Sequence, residues 1–250
     1  MSITRLALKL AAPLPGLEGF KRFLFIGPHP DDIEIGAGAT AAKLAALGRE
    51  VCFLICLDGR YGSDTIAPEE LIEIRKNEAI ASAKALGVTD VRFLGLSDGG
   101  FYGKAELENG IAKVIGDFKP DVLFAPDPCV ASECHTDHLN VGNAVRRLAY
   151  FAPYEGIMAN YGAQAAPVKA LAYYMTAKPT QYVKTSKALL NRQLDAIFSC
   201  HRSQFDGTEP IKLYLKLRSL DFGLRSFCAH AEGFRVLGVT QMHCLPEADR

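Results

Sequence analysis

The feature that most constrains this sequence is a group of ionisable side chains placed directly after an apolar run. His29, Asp31 and Asp32 follow residues 23–26, Phe-Leu-Phe-Ile, which read as a short buried strand. One imidazole and two adjacent carboxylates at the end of such a strand are costly to remove from water unless something neutralises them. A divalent metal ion is the usual neutraliser, so the segment predicts a metal site at a strand end.

A second ionisable cluster, His135-Thr136-Asp137-His138, lies much farther along the chain. Thr136 is a residue type that often begins a helix, and histidines three positions apart on a helix face the same side. An isolated His-x-x-His pattern is more often a surface feature than a pair of ligands. Its coincidence with the first cluster predicts that the two clusters together form one site.

Strand-like apolar runs alternate with helix-like stretches through the first part of the chain. The pattern predicts strands at 23–27, 51–57, 91–94, 122–125 and 170–175, and helices at 36–47, 68–86, 106–118, 136–150, 186–200 and 211–227. Continuous apolar strands separated by helices indicate a three-layer α/β fold, Rossmann-like, with a mostly parallel sheet and helices on both faces. Ligands bind such sheets at the carboxyl ends of the strands. Because His29 and His135 both follow strand ends, we expect the two clusters at one edge of the sheet.

Length and composition exclude several classes of protein. We expect the 250 residues to form one domain, 1–250, with residues 1–20 as an N-terminal extension. Equal numbers of basic and acidic residues argue against a nucleic-acid partner, and no apolar stretch reaches the ~20 residues of a membrane span. Seven cysteines without a C-x-x-C pair favour a reducing cytoplasm, and Lys9 interrupts the apolar start that a signal peptide needs.

The two clusters together offer the ligands of a catalytic metal site. His29, Asp32 and His138 make a set of two imidazoles and one carboxylate, which is typical of catalytic zinc sites that keep a position for water. Adjacent side chains in an extended turn point apart, so Asp31 is left to act as general base. His135 is then predicted to act on the substrate as a protonated imidazole, while Asp137 orients a histidine. We expect one Zn²⁺ per chain, with other divalent metals as alternatives.

Residues 29–36, His-Pro-Asp-Asp-Ile-Glu-Ile-Gly, together with the cluster 135–138, resemble the PIG-L/LmbE-like zinc de-N-acetylases. Those enzymes remove acetyl groups from N-acetylglucosamine-containing compounds. The likeness continues through residues 73–78, 119–126, 203–205 and 231–234. The resemblance implies an LmbE-like fold and hydrolysis of a linear amide, not a peptide bond, to acetate and a free amine. It also implies zinc ligation by His29, Asp32 and His138, with Asp31 as base, His135 as acid or electrophile and Asp137 as its orienting partner.

Five further residues are predicted to contact the substrate. In relatives, the arginine that matches Arg75 lies close to the acetate product. Asp58, Arg60 and Tyr61 follow the second strand at the functional edge, which predicts a loop contact to the substrate. His201 stands where some relatives carry a tyrosine linked with the mouth of the site. Relatives often form trimers or hexamers, so the expected partners are a small N-acetylated sugar or glycoconjugate and further copies of this chain.

Three other functions compete with this interpretation. Gly36, Gly38 and Ala41 match the G-x-G-x-x-A fingerprint of dinucleotide-binding folds, and Asp58 follows at the end of the second strand. That fingerprint should turn directly off the first strand, whereas residues 28–35 intervene here. A two-metal phosphoesterase needs more ligands than these clusters offer. The remaining alternative is a catalytically idle protein that binds a metal or a dinucleotide.

Overall fold

A seven-stranded sheet lies between helices in the computed structural model, which describes residues 3–205, 210–243 and 245. The strands are β1 Arg22–Gly27, β2 Glu50–Leu57, β3 Asp90–Leu96, β4 Val122–Pro126, β5 Ala170–Tyr174, β6 Gln181–Thr185 and β7 His230–Gly238. The helices are α1 Ile3–Ala11, α2 Asp32–Ala46, α3 Pro68–Leu86, α4 Lys104–Phe118, α5 Thr136–Phe151, α6 Glu155–Asn160, α7 Lys187–Asp195 and α8 Pro210–Arg225. A π-helical turn, Ala196–Cys200, continues α7. The three-layer, mostly parallel α/β fold expected from the sequence is confirmed.

The central strands form the core because successive side chains point to opposite faces of the sheet. Phe23 and Phe25 of β1 pack into one apolar cluster, and Leu24 and Ile26 pack into the other. The ring of Phe25 stacks on that of Phe124 in β4 with centroids 4.2 Å apart. Both faces of β1 are thus covered, as its unbroken apolar sequence requires.

The strand order places the two ionisable clusters side by side. It runs β3-β2-β1-β4-β5-β7-β6, so the direction in which strands are added reverses between β1 and β4. Both strands are parallel neighbours, pairing Phe23 with Val122. Ligands in open α/β sheets bind at the carboxyl ends of the strands beside such a reversal. Because His29 follows β1 and His135 follows β4, the expectation that the clusters share one sheet edge is confirmed.

Strands β6 and β7 were not anticipated from the sequence. Both pairings of β7, with β5 and with β6, are antiparallel. The sequence of β7 contains Glu232 and Arg235, and two charged residues within a short segment are not typical of a buried strand. Their charges have tertiary partners: the carboxylate of Glu232 accepts the backbone N–H of Thr40, and Arg235 forms a buried ion pair with Asp127.

Helix α2 begins at Asp32, four residues before the predicted start at Gly36. It is kinked at Ala37, whose backbone is not helical, and the N–H groups freed there donate to Glu232. A Cβ on Gly36 would lie 2.2 Å from the ring of Tyr174, so only a glycine at this position leaves room for that ring. Gly36, the first glycine of the pattern that resembles a dinucleotide-binding fingerprint, thus serves the packing of α2 against Tyr174 of β5.

The N-terminal extension contacts the antiparallel side of the sheet. The side chain of Gln241 donates to the carbonyl of Ala12, and that of Gln181 in β6 donates to the carbonyl of Pro15. Within the described residues, no helix has the length and apolar character needed to cross a bilayer.

We expect Gly142→Ala to destabilise the fold by about 1–3 kcal/mol, the usual cost of overpacking. Gly142 lies in α5, one turn after His138, and a Cβ there would stand 2.7 Å from the carbonyl oxygen of Pro126 at the end of β4. Gly156→Ala in α6 is the matched control, because its Cβ would meet nothing within 4 Å. Chemical denaturation of both variants tests this; equal stability of the two would contradict it.

Candidate metal centre and active site

Two loops at the carboxyl edge of the sheet carry the site. The loop from β1 to α2 holds His29, Asp31 and Asp32, and the loop from β4 to α5 ends at His135. Asp31 precedes α2 with a φ of 118°, in the left-handed region. Such backbone strain in a non-glycine residue is often found at functional sites. The two neighbouring carboxylates reach different partners: Asp31 contacts Arg75, and Asp32 contacts His29.

Asp32 lies between the two histidines that the sequence predicts as ligands. Its Oδ2 is 3.1 Å from Nδ1 of His29, and its Oδ1 is 3.3 Å from Nε2 of His138. One ligand atom from each of these residues lies within 4.8 Å of the others. Two imidazole nitrogens and a carboxylate oxygen are the donor set of catalytic zinc sites that keep a position for water. The residues present therefore fit a divalent metal ion.

An outer carboxylate holds each of these histidines by its second ring nitrogen. Nε2 of His29 lies 3.0 Å from Oδ2 of Asp137, and Nδ1 of His138 lies 3.1 Å from Oε2 of Glu133. When the outer nitrogen donates, the nitrogen facing Asp32 is left with a lone pair. Metal-ligating histidines are almost always oriented in this way.

The surroundings of the histidines favour positive charge. Burial alone would lower the pKa of His29, but hydrogen bonds to Asp137 and Asp32 outweigh burial and raise it to about 10. The pKa of His138 is also raised, because its interactions with Asp32 outweigh burial. A divalent cation held by two neutral imidazoles supplies the charge that these carboxylates favour.

The carboxylate of Asp137 is fully buried and saturated with donors. It accepts the N–H groups of Gly99 and Gly100 at 2.7 and 2.8 Å and the hydroxyl of Tyr102 at 3.0 Å. Burial would raise the pKa of Asp137, but its hydrogen bonds, with that from His29 first, lower it to about 2. Nδ1 of His135 is 3.8 Å from this carboxylate, farther than the ring of His29. Asp137 therefore positions His29, whereas the resemblance implied that it orients His135.

His135 stands at the mouth of the site with half of its side chain exposed. Its Nδ1 accepts the backbone N–H of Asp137 at 3.3 Å and so caps α5. Burial and the positive charges of His29 and His138 lower the pKa of His135. These interactions favour a neutral ring that carries its proton on Nε2, in place of the protonated imidazole expected from the sequence.

Asp31 is held against the guanidinium of Arg75. Nη2 of Arg75 is 3.2 Å from Oδ2 of Asp31 and donates at 2.8 Å to the carbonyl of Pro30, while Nη1 donates to the carbonyl of Gly59. Burial and the charge of Asp32 raise the pKa of Asp31, and the charge of Arg75 opposes this. Arg75 is itself buried, so its position in this structure is that of a support for Asp31 and the loop backbone.

The loop after β2 lies beside Arg75, which donates to the carbonyl of Gly59. The carboxylate of Asp58 is paired with Arg60, and the backbone N–H of Tyr61 donates to Asp98 at 3.3 Å. The ring of Tyr61 is exposed and lies edge-on to that of Phe101. A substrate contact by Asp58, Arg60 or Tyr61 stays a prediction.

His201 does not line the mouth of the site, and a direct substrate contact is not supported. Its side chain is 0% exposed, and Nε2 lies 3.4 Å from Oε1 of Glu34. The same oxygen of Glu34 accepts the hydroxyl of Ser82 at 2.6 Å. His201 therefore belongs to a buried polar cluster with Glu34 of α2 and Ser82 of α3. It directly follows the π-helical turn that continues α7.

Sequence reasoning missed Glu133. Its Oε1 accepts the backbone N–H of His135 at 2.7 Å, while its Oε2 contacts His138. One carboxylate thereby fixes both histidines of the second cluster. The signal in the sequence was an acidic residue two positions before His135, which alone is indistinguishable from a surface glutamate.

We expect Glu133→Gln to weaken metal binding about 10- to 100-fold, the usual effect of removing an outer partner of a ligand histidine. The substitution keeps the shape of the side chain but removes the charge that holds Nδ1 of His138. Competition with a chelating dye measures the dissociation constant of the metal independently of turnover. Glu73→Gln, at an exposed position of α3, is the control; affinities that match the wild type in both variants would exclude this role.

Comparisons with known proteins agree with this geometry. A family model described as PIG-L, GlcNAc-PI de-N-acetylase, matches residues 24–149, which contain both ionisable clusters. A diacetylchitobiose deacetylase from Thermococcus kodakarensis is 32% identical over 235 residues, covering 91% of this chain and 87% of that protein. A 1D-myo-inositol 2-acetamido-2-deoxy-alpha-D-glucopyranoside deacetylase from Thermomonospora curvata is 32% identical over 201 residues, covering 68% of this chain and 64% of that protein.

A solved structure extends the likeness to the whole fold. The N,N'-diacetylchitobiose deacetylase from Pyrococcus horikoshii, complexed with its inhibitor MPG, matches this chain with a TM-score of 0.87. The match covers 98% of this chain and 97% of that one at 29% sequence identity. Both halves of the site, and the antiparallel strands beyond them, therefore lie within the shared architecture.

Proposed function

Because the chain belongs to the PIG-L family of de-N-acetylases, we propose that it is a metal-dependent hydrolase of N-acetylated sugars. The substrate is an N-acetylglucosamine-type sugar or glycoconjugate, and the products are acetate and a free amine. The proposal names Zn²⁺, one per chain, as the metal, with other divalent ions as alternatives. Names of relatives support the substrate class, since they include deacetylases of diacetylchitobiose and of an inositol-linked 2-acetamido sugar.

The observation that carries the proposal is the arrangement of Asp32 between His29 and His138. Each histidine turns one nitrogen toward Asp32 and is held by an outer carboxylate at the other nitrogen. An ion bound there supplies a Lewis acid that lowers the pKa of a water molecule and polarises the amide carbonyl.

Residues of the chain perform the proton transfers. Asp31, whose carboxylate contacts Arg75, takes the proton of the attacking water as general base. The Nε2–H of His135 donates a hydrogen bond to the amide oxygen as negative charge develops on it. The C–N bond then breaks, and the nitrogen receives the proton that Asp31 took from the water, because a neutral His135 has no acidic proton to give. Arg75 keeps Asp31 in place and favours its ionised form.

Acetate release from a panel of substrates tests this function. The panel contains N-acetylglucosamine, N,N'-diacetylchitobiose and an inositol-linked 2-acetamido sugar, each assayed with the zinc-loaded, the chelator-treated and the zinc-restored protein. We expect acetate from at least one of them, loss of release after chelation, and recovery with zinc. A fully inert panel with bound zinc verified by elemental analysis would count against the proposal.

The proposal extends to the organisation and location of the chain. We assign residues 1–250 to a single deacetylase domain, with residues 1–20 as an N-terminal extension in which Pro15 and Ala12 accept hydrogen bonds from Gln181 and Gln241. The six cysteines in the described part of the chain are free thiols, which supports a reducing compartment such as the cytoplasm. A small sugar or glycoconjugate is the proposed partner, together with further copies of this chain.

A further inference from the structure

Helix α8 is apolar on two opposite faces. Toward the sheet it buries Leu215, Ser219, Phe222 and Gly223. On the other side it exposes four leucines, which we call the leucine stripe: Leu213, Leu217, Leu220 and Leu224. At about 100° of rotation per residue, the stripe lies roughly 140–200° around the helix from Leu215. Single exposed apolar side chains are normal on a protein surface, whereas four leucines in one continuous exposed stripe are typical of a contact surface.

The spacing of the leucine stripe is that of a seam between two helices. Its members follow one another at intervals of four, three and four residues, which are alternating d and a positions of a heptad. The next d position is Phe227, just beyond the end of α8, and its side chain is 95% exposed. A second copy of this helix has the same spacing, so each leucine can pack between the leucines of the facing helix.

The charges beside the leucine stripe select the orientation of the pair. Lys216 occupies a g position and Asp221 the following e position. In a parallel pair, a g residue faces the next e residue of the other helix, so Lys216 would meet Asp221 of the second copy on both sides of the seam. An antiparallel pair would instead bring g positions together with g positions, leaving Lys216 without an acidic partner. Asp221 already accepts Arg225 of its own helix at 2.9 Å and has a second oxygen to offer.

We propose that the leucine stripe is a homodimer contact, in which α8 of a second copy packs parallel to it about a two-fold axis along the helices. A two-fold interface of this kind uses the same patch on both copies. The seam is about two heptads long, so the contact dissociates on dilution. If the native assembly is larger than a dimer, the leucine stripe provides its two-fold contacts.

Sedimentation velocity over a range of protein concentrations tests the contact. We expect wild-type protein to dimerise, and Leu217→Lys to raise the dissociation constant at least about tenfold, because a charge replaces a leucine in the seam. In a larger assembly the same variant should halve the particle mass. Leu47→Lys is the matched control, since Leu47 is 54% exposed and Leu217 56%; circular dichroism confirms that both variants are folded.

A charge exchange tests the orientation. Lys216→Asp should weaken self-association, and adding Asp221→Lys to it should restore association, because the ion pairs reform with reversed signs. Wild-type protein that stays monomeric at every concentration, or an unchanged assembly in Leu217→Lys, would overturn the proposal. So would a monomer that binds lipid vesicles through the leucine stripe. An exchange without rescue would overturn the parallel arrangement.

Discussion

Asp31→Asn is expected to lower kcat about 10²- to 10⁴-fold while leaving the metal content of the protein unchanged. General acid–base catalysis contributes a factor of this size, and asparagine cannot accept the proton of water. Asparagine also tolerates the left-handed backbone that Asp31 adopts, so the fold should survive the change. Metal binding should be retained because the carboxylate of Asp31 contacts Arg75, and Asp31 belongs to neither group of described residues whose ligand atoms lie close enough to hold a metal ion.

The measurements are acetate release under saturating substrate and zinc content by elemental analysis. Asp64→Asn, at an exposed position in the loop after β2, is the control and should behave as the wild type. Activity of Asp31→Asn within about tenfold of the wild type would refute the base assignment, because the loss would fall below the range of general base catalysis. Loss of zinc from the variant would instead identify Asp31 as a ligand.

Asp32→Asn is expected to weaken metal binding more than about 100-fold, beyond the effect of losing an outer partner of a ligand. Asp32 supplies the carboxylate oxygens that face both His29 and His138, so the substitution removes a ligand and the negative charge between two imidazoles. Turnover should fall with metal occupancy. Because metal ions compete with protons for the histidines, residual affinity should weaken further as the pH is lowered.

A graded series of variants separates ligands from their supports. Titration with zinc should show Asp32→Asn as the weakest binder, Glu133→Gln as intermediate and Glu73→Gln as wild type. Excess zinc should restore acetate release in Glu133→Gln but not in Asp32→Asn. Wild-type zinc affinity in Asp32→Asn would show that the metal is held elsewhere, and the ligand set would then have to be abandoned.

Much of the fold was predictable because the parallel strands β1, β2, β4 and β5 each contain an unbroken apolar run. The bounds of α3, Pro68–Leu86, agree with the prediction, since a proline at its start and Gly87 after its end are strong local signals. The strand β7 was missed because Glu232 and Arg235 are acceptable inside the protein only through partners in α2 and in the loop after β4. Local sequence carries no signal for such distant compensation.

The sequence by itself determined which chemistry the chain offers and at which edge of the sheet it lies. Both follow from short motifs, His29 to Asp32 and His135 to His138, placed after apolar strands. Only the tertiary structure decided which nitrogen of each histidine faces Asp32, that Asp137 supports His29, and that His201 is buried. Those features depend on contacts between residues far apart in the chain, such as the 108 positions that separate His29 from Asp137. Ring orientation and burial are properties of the packed fold, and no local pattern specifies them.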